Sequence, residues 1–153
     1  MITKSNLKSG FTILELIIVI SITMIILVAS APLYTGFYKS AQLNDGSVQI
    51  VQTLRTAQQR AISRYQKQSH GVKFETDRYT LYFGDSYATR QSSYDKVTEL
   101  DSGVSLTNTL INDEVNFEKG TGIPNSNGSV TLIHATGDSR QILINAVGKI
   151  ESN

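Results

Sequence analysis

From Phe11 to Ala31 the chain runs for 21 residues with one charge, the carboxylate of Glu15. At 1.5 Å per residue a helix of that length is about 31 Å long, the thickness of a bilayer's hydrocarbon core. This run therefore predicts a membrane segment, and a chain of 153 residues has room beside it for one domain of modest size. The glutamate is the anomaly. A carboxylate at the centre of a spanning helix costs roughly 2.5–3.5 kcal/mol on translocon scales, so a use for it is expected.

Charge is distributed unevenly. Lys4 and Lys8 place two positive charges before the run. By the positive-inside rule, residues 1–10 are expected to stay cytoplasmic and the C-terminus to lie outside. Residues 11–68 hold Lys39, Arg55, Arg60, Arg64 and Lys67 against Glu15 and Asp45, a balance of +3. Residues 69–153 hold seven Lys and Arg against eleven Asp and Glu, a balance of −4. An acidic C-terminal part argues against a nucleic-acid partner. The chain has no cysteine, which excludes disulfides and thiolate metal sites.

An ordinary secretory signal fits this N-terminus badly. Its apolar region spans about 7–15 residues before a small-residue cleavage site, and the present run is longer, although Ala29-Ser30-Ala31 mimics such a site. The segment Lys8-Ser9-Gly10-Phe11-Thr12-Ile13-Leu14-Glu15-Leu16 instead resembles the class III signal of type IV pilins and pseudopilins. That resemblance implies a prepilin peptidase cutting between Gly10 and Phe11, with N-methylation of the new Phe11 amine. It also implies that Glu15 pairs with the N-terminal amine of a neighbouring subunit in the filament and sets axial register. Pro32 is similar to the family's helix-kinking proline.

Beyond Gly36 a helical pattern resumes. Ile50, Leu54, Ala57, Ala61 and Tyr65 fall on one face. The spacing predicts one long helix from about Phe11 to about Gln68, bent near Pro32, apolar all round in residues 11–31 and amphipathic in residues 32–68. Arg60, Arg64 and Lys67 recur at helical spacing, as a solvated face or a contact for the acidic head of a neighbouring subunit.

After Gly71 the period changes to two. Val72–Glu75 and Tyr79–Phe83 read as a hairpin, and residues 85–95 as a polar loop with Tyr87 and Tyr94 exposed. Short strands are expected near Val97, Val104 and Val115. After a Gly-rich loop at 120–128 come a hairpin of Val130–Ile133 and Gln141–Ile144 and a closing strand at Val147–Ile150. The predicted class is α+β: a long N-terminal helix packed on a mostly antiparallel sheet, with residues 69–153 as a β-rich head. This order, with Phe117-Glu118-Lys119-Gly120-Thr121-Gly122 and Val147-Gly148-Lys149-Ile150, resembles the GspH/FimT group of minor pseudopilins. Lys149 stands where that group commonly has arginine.

No catalytic constellation is visible, so no enzyme and no cofactor are expected. His70 and His134 read as surface or edge residues, and Asp85, Asp95, Asp101 and Asp113 are scattered, with no metal-ligand run. The expected function is that of a minor pilin or pseudopilin. It would be processed, inserted into the cytoplasmic membrane and added to a type IV pilus or type II secretion pseudopilus, near the tip as an assembly primer. Its partners would be other filament subunits and the prepilin peptidase. The alternatives are a DNA-binding minor pilin of a competence pilus, and a membrane-anchored adhesin or enzyme that borrows the signal.

Overall fold

The computed structural model describes the chain from Gly10 to Asn153, and the side chains of these residues except 30–37. Lys4 and Lys8 lie outside the described residues, and so does the side chain of Pro32, on which the expected bend rests. The chain divides into two compact units at Tyr38 and Lys39.

Helix α1 spans Ile13–Ile62. Within the second unit its buried stripe is Leu43, Ser47, Ile50, Leu54, Ala57 and Ala61, spaced three or four apart as one face requires. Ala57 and Ala61 are small, which lets the strands approach the helix closely. The helix ends six residues before the expected Gln68. Arg64 takes left-handed backbone (φ 52°), as do Gln66 (φ 52°) and Lys67 (φ 60°), and the chain makes a 3₁₀ turn at Tyr65–Lys67. Each such residue costs about 1–2 kcal/mol relative to right-handed backbone, and the turn is held from outside. The amide of Gly120 donates to the Ala61 carbonyl at 2.8 Å, meeting one of the helix's open C-terminal acceptors. Tyr65, expected on the buried stripe, is therefore half exposed.

Eight strands follow: β1 His70–Phe74, β2 Arg78–Phe83, β3 Lys96–Glu99, β4 Val104–Asn108, β5 Glu114–Phe117, β6 Gly128–His134, β7 Ser139–Ile144 and β8 Ile150–Ser152. They form two antiparallel four-stranded sheets, ordered β3-β2-β1-β5 and β4-β6-β7-β8, where a single sheet was expected. Non-local pairings decide the split. β1 takes β5 on the side away from β2 (Val72 opposite Val115), and β4 skips β5 to pair with β6 (Leu106 opposite Leu132). The expected closing strand begins only at Ile150, because residues 145–149 form a turn that closes with the Asn145 amide donating to the Lys149 carbonyl.

One core joins the helix stripe to both sheets. In the second sheet, Val104, Leu106, Val130, Leu132, Ile142 and Ile144 point inward at alternate positions, as period two requires. In the first sheet, β2 is buried on both faces from Tyr79 to Phe83. Its second cover is the segment expected to be a plain loop. Tyr87 packs edge-on against Tyr82 at 5.6 Å, and Arg90 lies 3.6 Å over the Tyr87 ring while bonding Asp95 at 2.7 Å. The Tyr87 amide also donates to the Glu114 carboxylate at 2.9 Å. Tyr87 is thus half-buried, contrary to expectation, whereas Tyr94 is exposed. His70 is also corrected. It opens β1 between Phe83 and Phe117 and is only 1% exposed, because the strand starts two residues earlier than the period change suggests.

Candidate processing and assembly site

Gly10 and Phe11 lie exposed just before α1. A Cβ built on Gly10 meets no atom within 4 Å, and its backbone is not left-handed. Nothing in the fold demands glycine at this position. Helix α1 then starts with a cap. The Glu15 amide donates to Thr12 Oγ1 at 3.2 Å, and the Leu16 amide donates to the Thr12 carbonyl at 3.2 Å. Thr12 was missed as a site residue, although Thr12-Ile13-Leu14-Glu15 carries the Ser/Thr-x-x-Glu signature of a helix start. The cap fixes where the helix begins and places Glu15 in its first turn, where the helix dipole favours a carboxylate.

Every large apolar side chain from Phe11 to Val28 is at least 50% exposed in the isolated chain. Returning them to an apolar phase is worth on the order of tens of kcal/mol in sum, so this face of the molecule is built to be covered. Its hydroxyls are already prepared for such a phase. Ser21 Oγ donates to the Ile17 carbonyl at 2.8 Å, and Thr23 Oγ1 to that of Val19 at 2.5 Å. Glu15 is different: among the described residues its carboxylate has no ion-pair or hydrogen-bond partner. Among the described residues no helix is long and apolar enough to cross a membrane.

The two C-terminal motifs meet on the helix. Gln58 Nε2 donates to the carbonyl of Gly122 at 3.2 Å and to that of Gly148 at 2.9 Å. Both glycines are left-handed (φ 68° and 82°). A Cβ on Gly122 would strike Ile62, and one on Gly148 would strike Gln58 and come within 3.1 Å of the Gly122 carbonyl. The repeated glycines of this motif pair are thus places where two loops touch one helix turn. Gln58 was also missed, since nothing local marks a helical glutamine as the partner of loops 64 and 90 residues away. Lys149 extends into solvent and pairs with Glu151.

Among the described residues no group of three or more His, Cys, Asp or Glu is arranged to hold a metal. His134 bonds the Thr136 hydroxyl at 2.8 Å, and His70 lies between the rings of Tyr65 and Phe83. Burial, reinforced by the positive charge of Arg60, holds the His70 imidazole below its ordinary pKa.

Comparison with known proteins bears on both places. Residues 5–31 match the prokaryotic N-terminal methylation motif. The chain is 28% identical over 129 residues to competence protein ComGD of Bacillus subtilis, covering 84% of this chain and 82% of that protein. Its fold is similar to that of the minor pseudopilin EpsH from the type 2 secretion system of Vibrio cholerae, with a TM-score of 0.55 and 14% identity over 73% of this chain and 96% of the other. The expected α+β pilin fold is thereby established. The matched motif, the relative and the fold each resemble what type IV pilin-like proteins carry, a class that is structural in general.

Proposed function

We propose that this minor pilin-like protein reaches its filament through two separate events at its N-terminus. A prepilin peptidase cuts between Gly10 and Phe11 and methylates the Phe11 amine, releasing residues 1–10. Glu15 then pairs with the N-terminal amine of a neighbouring subunit as the apolar half of α1 leaves the membrane for the filament interior. The chain crosses the cytoplasmic membrane once, through residues 11–31, with its head outside. It acts near the tip as an assembly primer and not as an enzyme. Pro32 relaxes the helix between its apolar and amphipathic halves.

The observation that carries this reading is the contrast inside the apolar half. Among the described residues, the hydroxyls of Ser21 and Thr23 close their own hydrogen bonds, and the Glu15 carboxylate does not. A charge entering an apolar filament core needs a cation there, and the amine made by cleavage four residues away is the charge of matching sign. Gly10 fits the same account, because a glycine the fold does not need is one an enzyme reads.

The similarity to ComGD favours a competence-type filament as the machine. DNA contact by the head is disfavoured by its balance of −4 and by the pairing of Lys149 with Glu151.

N-terminal sequencing of protein from sheared filaments tests the proposal. The expected first residue is methylated Phe11. Gly10→Val should accumulate uncut chain in the membrane, whereas Glu15→Ala should be cut normally and be missing from filaments. A mature chain beginning at Met1, or a Glu15→Ala protein incorporated at wild-type levels, overturns it.

A further inference from the structure

Where α1 hands over to β1, three cations surround a cleft of about 460 Å³: Arg64, Lys67 and Lys119. Lys119 Nζ donates to the Lys67 carbonyl at 3.2 Å, which ties the two segments together. Arg60 lies beside them with its guanidinium 5.6 Å from the centre of the half-exposed Tyr65 ring. None of these four cations has a carboxylate within ion-pair distance among the described residues; the same holds for Lys39, Arg55, Lys96 and Arg140, but only Arg64, Lys67 and Lys119 share one cleft. The acid nearest in sequence, Glu118, instead accepts a bond from the Thr121 hydroxyl at 2.8 Å. The head that bears this cleft is acidic overall. The backbone presenting Arg64 and Lys67 is left-handed at both residues, a conformation that stores strain and concentrates at binding and switch sites.

We infer that this cleft docks an acidic loop of another subunit in the same filament, with Arg64, Lys67 and Lys119 holding its carboxylates and Tyr65 packing beside them. The inference rests on the filament reading above and adds the chemistry of one contact to it. Tyrosine and arginine are the residues that most often anchor protein interfaces, and the guanidinium fork matches a carboxylate in two-point geometry. A protein loop fits better than a nucleic acid. A strand of phosphates needs a basic track longer than this cleft, and where it runs past the cleft it meets a head whose net charge is negative. A short acidic loop meets only the local field.

The full-length protein in detergent micelles can be titrated with a labelled alternating Glu-Asp peptide and, separately, with a single-stranded oligothymidylate of equal charge. The peptide should bind more tightly than the oligonucleotide, and Arg64→Ala/Lys67→Ala/Lys119→Ala should weaken it by about tenfold or more. Arg64→Gly separates binding from folding. It relaxes the left-handed backbone, so the melting temperature should hold or rise while peptide binding weakens, by less than in the triple variant. Unchanged peptide binding in the triple variant overturns the inference, as does tighter binding of the oligonucleotide. In cells, Lys67→Glu/Lys119→Glu should be cleaved after Gly10 and reach the membrane, yet be absent from sheared filaments. Wild-type incorporation of that variant also overturns the inference. Failure of the filament reading itself looks different, because the chain would then remain uncut.

Discussion

The two halves of α1 use the same apolar residue types in opposite ways. From Phe11 to Val28 the large side chains face outward all round, while from Leu43 to Ala61 they form one stripe that closes on the head's own core. The first half holds no tertiary structure of its own and has to be covered by something else. The second is covered by both sheets of the head. On the proposed reading, assembly and folding belong to different stretches of one helix, and mutations in the two should fail in different assays.

Leu54→Ala should produce the largest effect. Leu54 is fully buried, so the truncation should cost about 2–5 kcal/mol in denaturant unfolding of the head. Leu14→Ala, truncating an exposed leucine of the first half, should change the same measurement by less than about 0.5 kcal/mol. Equal losses would break the contrast between the halves. Next comes Gly148→Ala. Its Cβ would meet Gln58 and the Gly122 carbonyl on a left-handed backbone, at about 1–3 kcal/mol by chemical denaturation. Gly10→Ala, where the new methyl meets nothing, should leave stability untouched and act only on processing.

The smallest effect is in pH. The imidazole of His70 has a lowered pKa in the folded head, so below about pH 6.5 the unfolded chain binds a proton that the folded chain resists. Stability should be fully present above that pH and decline as pH falls toward the lowered folded value. His70→Phe should flatten this dependence between about pH 5 and 7 in thermal melts. An unchanged slope would assign the pH response to the carboxylates.

Much of this contrast was legible in the residues. The unbroken run after Phe11, the stripe Ile50-Leu54-Ala57-Ala61 and the two hairpins follow from periodicity, which is local information. What was not legible is set by distant partners. The helix stops at Ile62 because Gly120 caps it and because Arg64, Gln66 and Lys67 accept left-handed backbone, and none of the three is a residue type that signals such a turn. The division into two sheets depends on which strand β5 and β6 choose, and alternation of apolar residues is blind to that choice. His70 was misplaced for a similar reason: its burial comes from Tyr65 and Phe83 on either side. At the N-terminus the residues of the signal were plain, but the cap by Thr12 was overlooked beside them.

The bonds from Gln58 also couple two distant loop closures. They join one side chain to carbonyls 64 and 90 residues further along the chain. Once Gly122 has docked, the segment still to be closed to Gly148 is only 26 residues. By loop-closure entropy, the second bond is then about 1 kcal/mol easier to form than it would be alone. Such long-range closure is slow compared with helix formation. A chain that stops short of Gly148 keeps the glutamine without its second acceptor, and this one amide distinguishes a finished head from an unfinished one.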